Sequence, residues 1–212
     1  YHFVFFILRR DDKSSFFLSV GALIGVLRIA FTGEYLIVHI FPGISVNILV
    51  MIEYFTVYWG PFFFAAFIYS LYPSPLGTKV LRVCTAVNLL LTALTILAPI
   101  RIYTQFAIII QIFSIGIILF LLFAIVCANI RRERGALLLL IGSIFLFESV
   151  LHDILFEATI INTDLIRIIP VGIFTVVLIY SIVLARHFSD AFNEVKELTE
   201  RLISLDSLKN EF

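Results

Sequence analysis

Residues 168–185 read IIPVGIFTVVLIYSIVLA, and residues 186–212 continue RHFSDAFNEVKELTERLISLDSLKNEF. The first stretch is close to the roughly 20 apolar residues that cross a bilayer as a helix. The second is charged, and no Pro or Gly interrupts the chain after Gly172. Pro and Gly are the strongest helix punctuators, so a single helix is expected to leave the membrane and keep going. Such a helix can carry a push, tilt or twist out of the bilayer.

The rest of the chain agrees with a lipid solvent. Of 212 residues, 61% are hydrophobic and 14% charged, and the mean hydropathy is +1.10. A soluble domain has about 45–50% apolar and 25% charged residues. The bilayer is therefore the first expected partner. Fifteen basic and fifteen acidic residues cancel, which excludes nucleic acid, since phosphate binding needs a basic surplus. Cys84 and Cys127 lie in apolar runs and read as small packing residues rather than a disulfide.

Long apolar runs occupy 14–31, 46–72, 79–99, 105–130, 135–156 and 165–185. Helices are expected, because an open sheet edge cannot survive in lipid and the alternation of a barrel is absent. Residues 1–8 are apolar but too short to span, and no basic segment precedes them as in a signal peptide. They read as the tail of a further helix. The expected fold is an all-α membrane protein, a seven-transmembrane helix bundle with its first helix truncated, continuing into a cytoplasmic coiled-coil helix. Residues 1–186 form the membrane sensor domain, and 187–212 the signalling helix leading to an output domain.

Turn chemistry at Thr32-Gly33-Glu34, Pro42-Gly43, Pro73 to Gly77 and Asn162-Thr163-Asp164 separates the runs. Alternate junctions hold Arg9, Arg10, Lys13, Lys79, Arg82, Arg131, Arg132, Arg134 and Arg186, whereas the opposite ones hold only Arg101 and Arg167. The positive-inside rule places the first set, and the C-terminal helix, in the cytoplasm. Gly21 and Gly25 form a small-xxx-small pattern expected to admit a neighbouring helix closely. Pro61 is expected to kink the third helix and Pro170 the seventh.

Ionisable residues inside spans are costly, so their positions carry information. Arg28, Glu53, Glu148, His152 and Asp153, with the neutral Gln111, all fall in the halves assigned to the outside. Arg28 and Glu53 lie at similar depth and could pair. Glu148 and His152, four apart, share a helical face. Three readings stand open: buried ion pairs that fix the bundle, a sensory cavity for a small polar ligand, and a metal or proton site on Glu148, His152 and Asp153. His152 could also serve as a pH switch. Tyr54, Tyr58 and Trp59 are either core or an aromatic ligand box. The seventh span has no Lys to carry a retinal Schiff base, and no cofactor is expected.

From Phe188 a heptad seam runs through Ala191, Val195, Leu198, Leu202, Leu205, Lys209 and Phe212. Seven of these eight positions are apolar, and the flanking charges are mixed, so a homodimeric coiled coil is expected. Residues 205–212, Leu-Asp-Ser-Leu-Lys-Asn-Glu-Phe, resemble the segment before the phosphoacceptor histidine box of bacterial sensor histidine kinases.

The membrane region resembles the 7TM family with diverse intracellular signalling modules, the 7TMR-DISM receptors. The resemblance rests on Arg28 with Thr32-Gly33-Glu34, on Leu97-Ala98-Pro99-Ile100-Arg101-Ile102-Tyr103-Thr104, on Arg131-Arg132-Glu133-Arg134-Gly135 and on His152-Asp153-Ile154-Leu155. It implies a multi-pass receptor of the bacterial plasma membrane, with an extracytoplasmic sensor before the bundle and a cytoplasmic output domain after it. With the terminal motif, that output is expected to be the histidine kinase of a two-component system. A diguanylate cyclase or phosphatase is the alternative output, and a membrane transporter the alternative of another class. The phosphoacceptor and ATP-binding residues are expected beyond Phe212, so no residue here is assigned a catalytic role and no metal ligand is assigned.

Overall fold

The computed structural model describes residues 13–33, 35–157 and 167–210, with side chains for all of these except 157 and 204–210. The expected first helix at 1–8 lies outside them. The elements are α1 (Lys13–Phe31), a short α2 (Leu36–Ile40), α3 (Val46–Leu71), α4 (Pro75–Leu97), a short α5 (Ile100–Tyr103), a 3-10 turn (Thr104–Phe106), α6 (Ala107–Ile130), α7 (Ala136–Glu157) and α8 (Ile169–Asn210). Among the described residues no strand occurs, and six helical segments are long and apolar enough to cross a membrane.

Local chemistry explains the boundaries. Ser45 accepts from the Ile48 amide at 3.4 Å and Ser74 from the Gly77 amide at 3.0 Å, each satisfying an orphan donor of a helix start. Pro75 occupies the first turn of α4, where its missing N–H costs nothing. Pro170 likewise sits in the first turn of α8. The kink expected there is therefore not formed: a proline that close to a helix start has no intrahelical bond to break. Pro61 does lie inside α3, which continues without a break through it.

Helix α3 packs against α1, α4 and α6; α7 packs against α6 and α8, and α8 returns to α1. The result is a ring of α1, α3, α6, α7 and α8, with α4 held against α3 outside it. Buried residues inside the ring include Leu18, Phe67, Ile125, Leu139, Val176 and Leu184. Two glycines let the ring close. A Cβ on Gly25 would lie 2.6 Å from Ile173 Cγ2, and one on Gly172 would lie 2.6 Å from Ser149 Cβ. The small-residue pattern thus serves two neighbours, since Gly21 faces Phe64 of α3 while Gly25 faces α8.

Because lipid drives no hydrophobic association between helices, close packing and interhelical polar contacts hold the bundle together. Asn88 Nδ2 donates to Tyr58 O at 3.2 Å and Trp59 Nε1 to Thr92 Oγ1 at 3.0 Å, tying α4 to α3. Ser143 Oγ lies 2.5 Å from Tyr180 Oη, tying α7 to α8. The ring of Tyr180 stacks on Phe67 with centroids 5.1 Å apart. At the end carrying most basic residues, Tyr72 Oη donates to Arg134 O at 2.8 Å. That phenol is pushed up to about 12, first by burial and then by the nearby Glu133 carboxylate.

Candidate functional site: a polar-mouthed cavity inside the ring

The five ring helices enclose a cavity of about 130 Å³. Its wall carries Arg28, Thr32, Asp153 and Arg167 near one end and Ser143 deep inside. Asp153 and Ser143 are ten positions apart on α7, so by a helix's rise of 1.5 Å per residue the cavity reaches about 15 Å inward. The deeper wall is apolar, built by Ile24, Ile118, Leu121, Leu146 and Ile173. Its mouth lies at the end that the charge bias of the loops assigns to the outside.

Arg28 is held by α3. Its guanidinium donates to Glu53 O at 3.2 Å and lies 3.8 Å from the Glu53 carboxylate, both side chains being about four-fifths buried. The expected pairing of these two residues is present. Glu53 stands behind Arg28 and does not itself line the cavity.

Asp153 joins two helices. One carboxylate oxygen accepts from the Ile168 amide at 3.0 Å and the other from the Ile169 amide at 3.3 Å. These are orphan donors at the start of α8, and a carboxylate there also meets the positive end of the helix dipole. His152 Nδ1 lies 3.0 Å from the same carboxylate. Its Nε2 is buried and has no hydrogen-bond partner among the described residues, and its ring stacks on Phe156.

Glu148 is placed elsewhere. Its side chain is exposed and is not part of the cavity wall. At 100° per residue, Glu148 points about 140° away from Asp153 around α7, so the wall takes one and not the other. Among the described residues no three His, Cys, Asp or Glu side chains converge on a metal position. Tyr58 is fully buried and Tyr54 meets the Tyr103 ring edge-on at 5.4 Å, neither of them in the wall. Tyr58 is thus part of the buried core, and Tyr54 packs against Tyr103 outside the cavity.

The polar groups of the wall fall into two kinds. Thr32 Oγ1 donates to Arg28 O, Thr56 Oγ1 to Glu53 O at 2.7 Å, and Ser143 Oγ to Leu139 O at 2.7 Å. Ser114 Oγ lies 3.0 Å from Val57 O on α3 and 2.9 Å from Ile110 O. Val57 precedes Pro61 by four residues, so its carbonyl is the one that Pro61, lacking N–H, leaves without its helical donor. Ser114 supplies that donor from the next helix. Gln111 and Arg167 are of the second kind, for they make no hydrogen bond or ion pair with a described residue. Arg167 was not among the residues expected to line a cavity. The signal was available: it is one of only two arginines at the junctions otherwise poor in basic residues.

The family model described as 7TM diverse intracellular signalling matches residues 1–187. No curated protein matches the chain and no solved structure does. The matched region takes in the cavity, its mouth and the start of the emerging helix, and with six membrane-length helices among the described residues it makes this a multi-pass membrane protein. The chain belongs to the 7TM diverse intracellular signalling family, 7TMR-DISM, whose domain is a membrane receptor coupled to diverse intracellular signalling modules.

Proposed function

We propose that this domain receives a signal at the polar mouth of the ring and passes it through α8 to a cytoplasmic histidine kinase of a two-component system. The observation that carries the proposal is α8 itself. It is one helix of 42 residues, about 63 Å at 1.5 Å per residue, roughly twice the ~30 Å of the hydrocarbon core. Its first turn is held by Asp153 at the cavity mouth. A tilt, rotation or shift imposed there reaches the far end of the helix without a joint to absorb it. In this reading the mouth faces outside the bacterial plasma membrane, the C-terminus is cytoplasmic, and an extracytoplasmic sensor of the same protein adds to the input.

The emerging part of α8 has the surface a partner helix needs. Phe188 packs against the bundle core, whereas Val195, Leu198 and Leu202 are exposed at 61%, 53% and 67%. Apolar residues at this spacing on a charged helix support a parallel dimer. The side chains of Leu205, Lys209 and Phe212 lie outside the described residues. The resemblance of residues 205–212 to the segment before a phosphoacceptor box favours a kinase over a cyclase or phosphatase as the output.

Signalling through a helix requires two states that differ in free energy when the mouth is occupied. Inserting one, two or three alanines after Ala185 in the full receptor rotates the output end by about 100° per residue. Autophosphorylation in membrane vesicles is expected to rise and fall with that phase. Output that falls steadily with insertion length, or solute flux through the unmodified domain with no change in phosphorylation, would overturn the proposal.

A further inference from the structure

We propose that the ring cavity is a binding site for a small organic monocarboxylate with an apolar body of about four to six carbons. The proposal rests on the mouth being the receptor's input and names the chemical class that the input takes. The polar groups of the wall differ in whether they already hold a partner.

Arg28 is committed to Glu53. Asp153 is committed to two backbone amides and to His152. The wall hydroxyls of Thr32, Thr56, Ser114 and Ser143 are each committed to a backbone carbonyl. What remains is one cation, Arg167, and one amide, Gln111, each half-buried and facing the cavity without a partner among the described residues. A guanidinium in that position is matched best by a carboxylate, which can take two parallel N–H bonds. The Gln111 amide offers a further donor. The positive end of α8 at the same mouth is already met by the Asp153 carboxylate, which leaves recognition to Arg167 and Gln111.

The rest of the wall decides the ligand's body. Below the mouth the surface is Ile24, Ile118, Leu121, Leu146 and Ile173, which offers nothing to a hydrated inorganic anion. Protein cavities of about 150 Å³ lined by such side chains accept a six-carbon ring, so about 130 Å³ admits a chain or ring of similar size. A carboxylate at Arg167 with its hydrocarbon end toward Ser143 would touch α1, α3, α6, α7 and α8 together. The cavity is bordered by α8 at both levels, at its mouth by Ile169 and at its floor by Tyr180 through Ser143, so a ligand held at the mouth bears on the first turn of the emerging helix.

The test uses the protein in lipid nanodiscs, with hexanoate, hexanamide and hexylamine as probes and empty nanodiscs as the reference. Saturable binding of hexanoate, at least tenfold tighter than either other probe, is expected. Arg167→Gln should weaken hexanoate at least tenfold and leave hexanamide unchanged, and Ile118→Phe should weaken all binding by filling the cavity. Thermal melts of both variants confirm that the fold persists. Equal binding of hexanamide, preference for hexylamine, no effect of Arg167→Gln in a folded protein, or no binding above empty nanodiscs would each overturn the site. Because binding is read without the output domain, binding with no change in phosphorylation would overturn the functional proposal and leave the site standing.

Discussion

The bond from Ser114 to Val57 O makes a quantitative prediction through Pro61. Pro61 has no N–H, so Val57 O has no donor within α3, and Ser114 Oγ at 3.0 Å takes its place. Ser114→Ala leaves that carbonyl without a partner in the bundle interior. An unsatisfied buried acceptor costs about 1–3 kcal/mol in soluble proteins, but side-chain bonds between membrane helices average about 0.6 and reach about 1.7 kcal/mol. The membrane scale is the relevant one, and a donor that relieves a proline defect belongs near its upper end, at about 1–1.5 kcal/mol. In a Pro61→Ala background the restored Ala amide serves Val57 O from within α3. Ser114→Ala then loses only its back-bond to Ile110 O, worth a few tenths of a kcal/mol at most. The coupling between the two sites should therefore be about 1 kcal/mol. It is read from four unfolding free energies in bicelles: the parent, each single variant and the double variant. Additivity within about 0.3 kcal/mol would refute the assignment of Ser114 as the substitute donor. Ser114→Thr should retain most of the parent's stability, as its hydroxyl can reach the same carbonyl.

Asp153→Ala should lower stability by about 1–3 kcal/mol, since two amides of α8 lose an anionic acceptor. Faster hydrogen exchange should localise to residues 168–172, and Glu148→Gln, on an exposed unpaired side chain, should stay within about 0.5 kcal/mol. Gly25→Val places a Cβ against Ile173 Cγ2 and should cost about 1–3 kcal/mol; Ile173→Ala should recover part of that loss in a thermal melt. Tyr72 is raised to about 12 from an ordinary 10.0, so its neutral form is the one the fold favours. Its contribution is fully present below about pH 10 and is lost as pH rises from about 10 through about 12. The melting difference between the parent and Tyr72→Phe should be flat below that window and shrink across it.

The bilayer makes much of this architecture legible in the sequence. A backbone without water must satisfy itself within each segment, so apolar length alone marks the helices. The expected spans at 14–31, 46–72 and 105–130 agree closely with α1, α3 and the α5–α6 segment. Helical phase is equally local. The sequence places Glu148 and His152 on one face and turns Asp153 away from Glu148, and it brings Arg28 and Glu53 to one depth. The uninterrupted helix across 169–210 was also expected, from the absence of Pro and Gly beyond Gly172.

Rotation of each helix about its own axis is another matter. Lipid is as apolar as Leu or Ile, so no hydrophobic gradient tells an apolar helix which side to bury. Only contact with particular neighbours does so. Tertiary packing decided that Asp153 faces the ring and Glu148 does not. It also decided that Pro170 opens α8 while Pro61 is matched by Ser114, and that Arg167 enters the cavity wall. By itself the sequence determined the six membrane-length helices of the described residues, their order and the unbroken run of the last one, because those follow from backbone hydrogen bonding along the chain. The cavity and its uncommitted arginine were decided only by the packed ring, because they depend on which side chains five separate helices turn toward one another.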